Sequence, residues 1–164
     1  MCARLPRTPG VAAAGAALFL LIVGLSGACV PWSDPGLKGA VAVKLSDDNI
    51  VIRVKTCGEA PRLGSVELDS ARDVHDVLWR IESAFGSSGD SYVLGQTPPG
   101  FQQVNGLRTP LSAGVRYYLT AWQLDHALGI PGVVFEPAGL SADRWTVSGG
   151  RTLTDAELER LDPC

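Results

Sequence analysis

The stretch Val11–Cys29 limits everything downstream, because it decides on which side of a membrane the rest of the chain folds. Arg4 and Arg7 precede it, an apolar core runs from Val11 to Leu25, and the small side chains of Ser26-Gly27-Ala28 follow. A basic start, a short apolar core and a small-residue exit are the three parts of a secretory signal. The core falls short of the roughly 20 residues that span a bilayer. The pattern therefore predicts a signal helix over residues 1–28, removed after Ala28. Export also sets the redox environment, since thiols pair readily outside the cytosol.

Leu25-Ser26-Gly27-Ala28-Cys29 resembles the lipobox of bacterial lipoproteins, in which small residues precede a cysteine that takes a diacylglyceryl group. The resemblance implies that Cys29 is the lipidated first residue of the mature protein. Acyl chains would then hold the chain to the cell membrane on its extracytoplasmic face. Ser26 stands where such boxes most often carry leucine, and Leu25 lies one place early. Ser26 and Ala28 also satisfy the small-x-small rule of ordinary cleavage, so plain secretion is the alternative. Arginine outnumbering lysine, with abundant alanine and glycine, resembles the usage of GC-rich bacteria such as actinobacteria.

Cysteine parity bears on the choice. Cys2 leaves with the signal, while Cys29, Cys57 and Cys164 remain. An odd thiol in an exported protein calls for an explanation. Acylation of Cys29 supplies one and leaves Cys57 and Cys164 to form a disulfide. The competing reading keeps Cys57 as a buried free thiol and Cys164 as a loose tail.

Taking the 28 signal residues from 164 leaves 136, enough for one well-filled core. Removing Arg4 and Arg7 from 14 basic residues leaves 12 against 17 acidic ones. An acidic chain without basic clusters argues against nucleic acid and against electrostatic adhesion to anionic lipid. Residues 29–40, with Pro31, Pro35, Gly36 and Gly39, read as a tether, and 41–164 as the domain.

Within the domain, period two dominates. Val41–Leu45 is a first strand. In Asn49–Cys57, Ile50, Ile52, Val54 and Thr56 share one face, with Val51, Arg53, Lys55 and Cys57 on the other. A C-terminal tail bridged to Cys57 would thus lie outside the sheet. Ser65–Asp69 turns Val66 and Leu68 inward. Asp76–Glu82 sets Val77, Trp79 and Ile81 against Leu78, Arg80 and Glu82. Gly86–Gly100 reads as an irregular loop around a Tyr92-Val93-Leu94 island. Phe101–Leu107, Gly132–Glu136 and Arg144–Ser148 supply further strands, with Val133, Phe135, Trp145 and Val147 as core candidates. After Gly149-Gly150, Thr154 and Glu157 form a capping box with Leu153 and Leu158 as its staple, so a short helix is expected from Asp155 to about Leu161.

The segment Leu111-Ser112-Ala113-Gly114-Val115-Arg116-Tyr117-Tyr118-Leu119-Thr120-Ala121 resembles the approach to the penultimate strand of fibronectin type III domains. The match covers about twenty residues and lacks the proline usual before the glycine. It implies that Tyr117 is a tyrosine corner whose hydroxyl bonds back to the preceding turn. The fold expected is all-β: an antiparallel, immunoglobulin-like β-sandwich of about seven to eight strands with a short C-terminal helix. On the other face of the same strand stand Arg116, Tyr118, Thr120 and Trp122. Arg116, Tyr118 and Trp122 are the candidate binding face, suited to a sugar ring or a partner's side chain. The alternative is that the C-terminal segment or a loop covers them.

Catalytic spacings are missing from the sequence. It has no phosphate-binding glycine loop and no Gly-x-Ser-x-Gly elbow. His75 and His126 lie far apart, and the carboxylate pair Asp47-Asp48 beside Asn49 reads as a turn. The expectation is a non-enzymatic module without cofactor or metal, binding an unidentified protein or glycan. A small hydrolase or metal-dependent enzyme using His75 or His126, and a solute-binding accessory lipoprotein, are the alternatives.

Overall fold

The computed structural model describes residues 39–57, 62–124 and 129–164. Cys29, the signal segment and His126 lie outside them. Ten strands are described: β1 (Gly39–Ser46), β2 (Asn49–Thr56), β3 (Leu63–Ser70), β4 (Asp73–Ser87), β5 (Ser91–Val93), β6 (Gln102–Asn105), β7 (Tyr117–Gln123), β8 (Gly129–Phe135), β9 (Trp145–Val147) and β10 (Thr152–Leu153). One helix, α1 (Asp155–Arg160), closes the chain. The first sheet runs β10-β9-β1-β2-β5 and the second β6-β4-β3-β7-β8. All pairings are antiparallel.

The main core lies between the sheets. Val41, Val43, Ile52 and Val54 from the first sheet meet Val66, Leu68, Trp79, Ile81, Leu119, Val133 and Phe135 from the second. These are the alternate positions of each strand, which is why period two in the sequence anticipates them. The fold is all-β as expected, but ten strands replace seven to eight. The Tyr92-Val93 island is an edge strand, not a loop, because Val51, Ile52 and Arg53 offer it a ladder and Tyr92 is buried against Phe101. β1 begins at Gly39, two residues ahead of the expected Val41. β4 is also longer than expected, and a register shift between Leu68 and Asp69 sets Asp69 opposite Val77. That bulge exchanges the faces, so Leu78, not Val77, packs against the core.

The β1–β2 hairpin turns on Asp47 and Asp48, both with positive φ, 46° and 62°. A two-residue turn with both central residues left-handed matches the twist of the flanking strands, and Asn-Gly suits it better than Asp-Asp. Replacing Asp47-Asp48 by Asn-Gly should raise stability by about 0.5–1 kcal/mol. A urea midpoint that falls or stays put would contradict this.

A second, smaller core lies outside the first sheet. Trp145 and Val147 belong here, not between the sheets, with Ala42 and Leu158. Three outward residues of β2, Val51, Arg53 and Lys55, serve α1. Val51 packs against this cluster. Arg53 pairs with Glu159 at 2.8 Å. Lys55 Nζ donates to the carbonyls of Leu158, Glu159 and Leu161 at 2.9, 2.7 and 3.0 Å, closing the end of the helix. Cys57 is joined to Cys164 by a disulfide with 5.6 Å between the Cα atoms. At the other end Thr154 and Glu157 complete the capping box. Asp155 accepts from Lys44 and Trp145 Nε1, first the one and then the other holding its carboxyl below the usual range. Gly39 N–H donates to Pro163 O at 3.0 Å, so the ends of the described domain meet.

Candidate functional site

With the first sheet's outer face occupied by α1, attention falls on the outer face of the second. Its register arranges three rows across the strands. Val134, Tyr118, Asp69 and Val77 form the first, Thr120, Glu67 and Arg80 the second, and Gly129, Trp122, Ser65 and Glu82 the third. Tyr118 and Trp122 therefore stand on one face, as their spacing predicts, separated by four residues or about 13 Å of strand. The C-terminal segment does not cover them; it covers the other sheet.

Two glycines on β8 seat the rings. A Cβ at Gly132 would lie 2.5 Å from the Tyr118 ring, and one at Gly129 would lie 3.1–3.4 Å from three atoms of the Trp122 ring. Aromatic rings laid over strand glycines cover backbone that lacks a side chain of its own. Both rings end half-buried. Arg116 lies just before β7 and is exposed, and it shares with Tyr118 a depression of about 670 Å³ bordered by Gly132, Val134, Glu136 and Gly149-Gly150. Trp122 lies outside that depression. The structure thus brings Arg116 and Tyr118 together and sets Trp122 apart along the strand.

Sequence reasoning passed over the charges beside the rings. Asp69 is 1 % exposed. Its carboxyl is pushed up to about 7, first by burial, then by the charge of Glu67 and a shared hydrogen bond with it. Arg80 pairs with Glu67 at 3.0 Å and with Glu82. Ser65 Oγ, Asp69 Oδ1 and Arg80 Nε are buried without a hydrogen-bond partner among the described residues. The alternation in Ser65–Asp69 already turned these groups outward. What it could not reveal is that Tyr118 and Trp122 stand in register over Asp69 and Ser65.

Tyr117, on the inward face, takes the N–H of Ser112 on its hydroxyl at 2.9 Å. The bond closes the turn that leads into β7, and the ring packs against Phe135. Tyr117→Phe should lower stability by about 0.5–1.5 kcal/mol. An unchanged urea midpoint would mean that the hydroxyl carries no weight.

His75 is exposed, and its backbone N–H donates to Asp73 Oδ1 at 3.0 Å at the start of β4. Among the described residues no group of three or more metal-ligating side chains gathers. Comparison with protein-family models, with curated proteins and with solved structures found no match.

Proposed function

We propose that this chain is a lipid-anchored, extracytoplasmic binding module that works through the outer face of its second sheet. One observation carries the reading: among the described residues the C-terminal helix covers one sheet, while the other keeps an exposed arginine and a half-buried Tyr118 ring on one depression, with a second half-buried ring, Trp122, farther along the strand.

The disulfide supports export. It also takes two of the three cysteines that follow the signal, leaving Cys29 as the odd thiol that acylation would account for. The partition of strands supports a likeness to fibronectin type III and immunoglobulin domains. With β6, β9 and β10 set aside, β1, β2 and β5 share one sheet, as strands A, B and E do, and β3, β4, β7 and β8 share the other, as C, C′, F and G do. The Tyr117 hydroxyl bond fits the same scheme.

The test has two arms. Cys29→Ala should release the full chain from membranes or block its processing, and unchanged membrane association would end the anchor. Envelope extract passed over the full chain should yield a partner that the Tyr118→Ala, Trp122→Ala double variant fails to retain. Equal recovery by both would move the binding site off this face.

A further inference from the structure

The first described residue and the last arrive at one end of the domain. β1 starts there at Gly39, opposite Thr56, and Gly39 N–H donates to Pro163 O. A Cβ at Gly39 would lie 2.7 Å from Ile130 at the start of β8. Ile130 pairs with Ala121 near the end of β7, while Leu63, the first residue of β3, pairs with both Gln123 and Ser87. The end where the chain enters is therefore also the end where β4 finishes.

Phe85 stands on that end and is 83 % exposed. Between the pairs Leu63–Ser87 and Ser65–Glu82, β3 advances two residues while β4 advances five, so three residues are looped out of the ladder. Gly86, with φ of 72°, turns this loop back, and a Cβ on it would collide with the Arg62 side chain. Arg62 is exposed, and its guanidinium donates to Phe85 O at 3.3 Å. An irregularity of this kind re-aims a side chain. Here it holds an aromatic ring out in water while Ser83, two residues before, stays buried.

The length of chain outside the described domain tells what the ring meets. Gly39 lies ten residues after Cys29, a length that reaches at most about 35 Å and averages about 17 Å as a flexible coil. The Asp47-Asp48 turn, at the other end of β1, lies roughly 24 Å farther on. With acyl chains on Cys29, the bilayer is the surface that the Gly39 end encounters first. Charge agrees with this orientation. The two turn carboxylates point away from the lipid, and Arg62 stands beside the ring, where its stem lies along apolar surface and its charge reaches a headgroup. Asp162, also on the Gly39 end, accepts from Cys164 N–H at 2.9 Å.

We propose that Phe85 enters the leaflet that holds the acyl chains of Cys29, with Arg62 against lipid phosphate, so that the domain stands on its Gly39 end. Tyr117 pairs with Ser70 and Phe135 at the opposite end, so the arrangement turns Arg116, just before it, away from the membrane and toward partners. One ring is too little to hold a free domain on a bilayer. A short tether changes that, because it supplies an effective concentration on the order of millimolar, and burial of a phenylalanine ring then favours the docked state by about tenfold or more. The inference rests on the reading of Cys29 as lipidated and adds a second contact with the same membrane.

The full chain is prepared with a benzophenone photoprobe in place of the side chain of Ala84 or of Asp47, reconstituted in vesicles of phosphatidylcholine and phosphatidylglycerol, and illuminated. Ala84 is exposed beside Phe85, and Asp47 marks the opposite end. Lipid adducts, read by mass, should form at position 84 at least about fivefold more than at position 47. Phe85→Ser should remove most of that excess while leaving the urea midpoint unchanged, since the ring is exposed in the fold. Equal adducts at the two positions, or adducts at 84 that survive Phe85→Ser, would overturn the proposal and leave the anchor standing. Adducts at 84 to a second copy in place of lipid would give the ring to self-association and overturn it as well. A chain without acyl mass on Cys29 would end the anchor and this contact together.

Discussion

Replacing Cys57 and Cys164 together by serine is expected to lower the unfolding free energy by about 3–4 kcal/mol. The bond closes a loop across 107 positions of sequence. The chain-entropy model gives about 4–5 kcal/mol for a loop of that size, and real bridges often deliver less. A second effect adds to the first. Without the bond, the tail after α1 is held by Lys55 on three carbonyls, by Gly39 N–H on Pro163 and by Leu158 in the outer cluster. Urea unfolding of the oxidised protein and the double variant should separate the two curves, and hydrogen exchange over Asp155–Leu161 should quicken in the variant. Coincident curves would show that the outer cluster and Lys55 suffice.

The second large effect changes with pH. Asp69 keeps its proton up to about pH 7 in the fold, whereas an unfolded aspartate loses it near its ordinary value of 3.8. Between these limits the folded state binds the extra proton, so stability falls as pH rises from about 4 through about 7 and levels off above. Asp69→Asn keeps a donor toward Glu67 and removes the buried charge. The variant should be more stable than the parent by about 1–3 kcal/mol at pH 8. The two should converge toward pH 4. Thermal melts at several pH values read this directly, and a variant less stable than the parent at pH 8 would mean that the ionised carboxylate is useful where it lies.

Much of the fold was legible because strand burial has period two. Ile52, Val54, Val66, Leu68, Trp79 and Ile81 follow from alternation alone, and the capping box of α1 needs only Thr154 and Glu157 in their positions. The errors fall where tertiary contacts overrule local pattern. Val77 and Leu78 exchange faces because a bulge inserts one residue into the ladder, and no single strand announces the register of its neighbour. Trp145 and Val147 alternate as a core strand should, yet face outward, since α1 returns to cover that side. By pattern alone Tyr92 reads as part of a loop, because three residues are too few to show a period.

The candidate site divides in the same way. Arg116, Tyr118 and Trp122 share a face by spacing, and Cys57, just past the end of β2, faces outward by parity; both follow from the chemistry of one strand at a time. The sequence therefore determined which residues turn outward, how the last helix begins and which cysteines remain to pair. Only the tertiary structure decided which outward face stays open among the described residues, that Asp69 and Ser65 sit buried in register with the two rings, and that β8 ends the second sheet. Side-chain direction repeats along a single chain and can be read from it. Coverage, register and edge position are relations between segments far apart in sequence, and they exist only once the sheets have assembled.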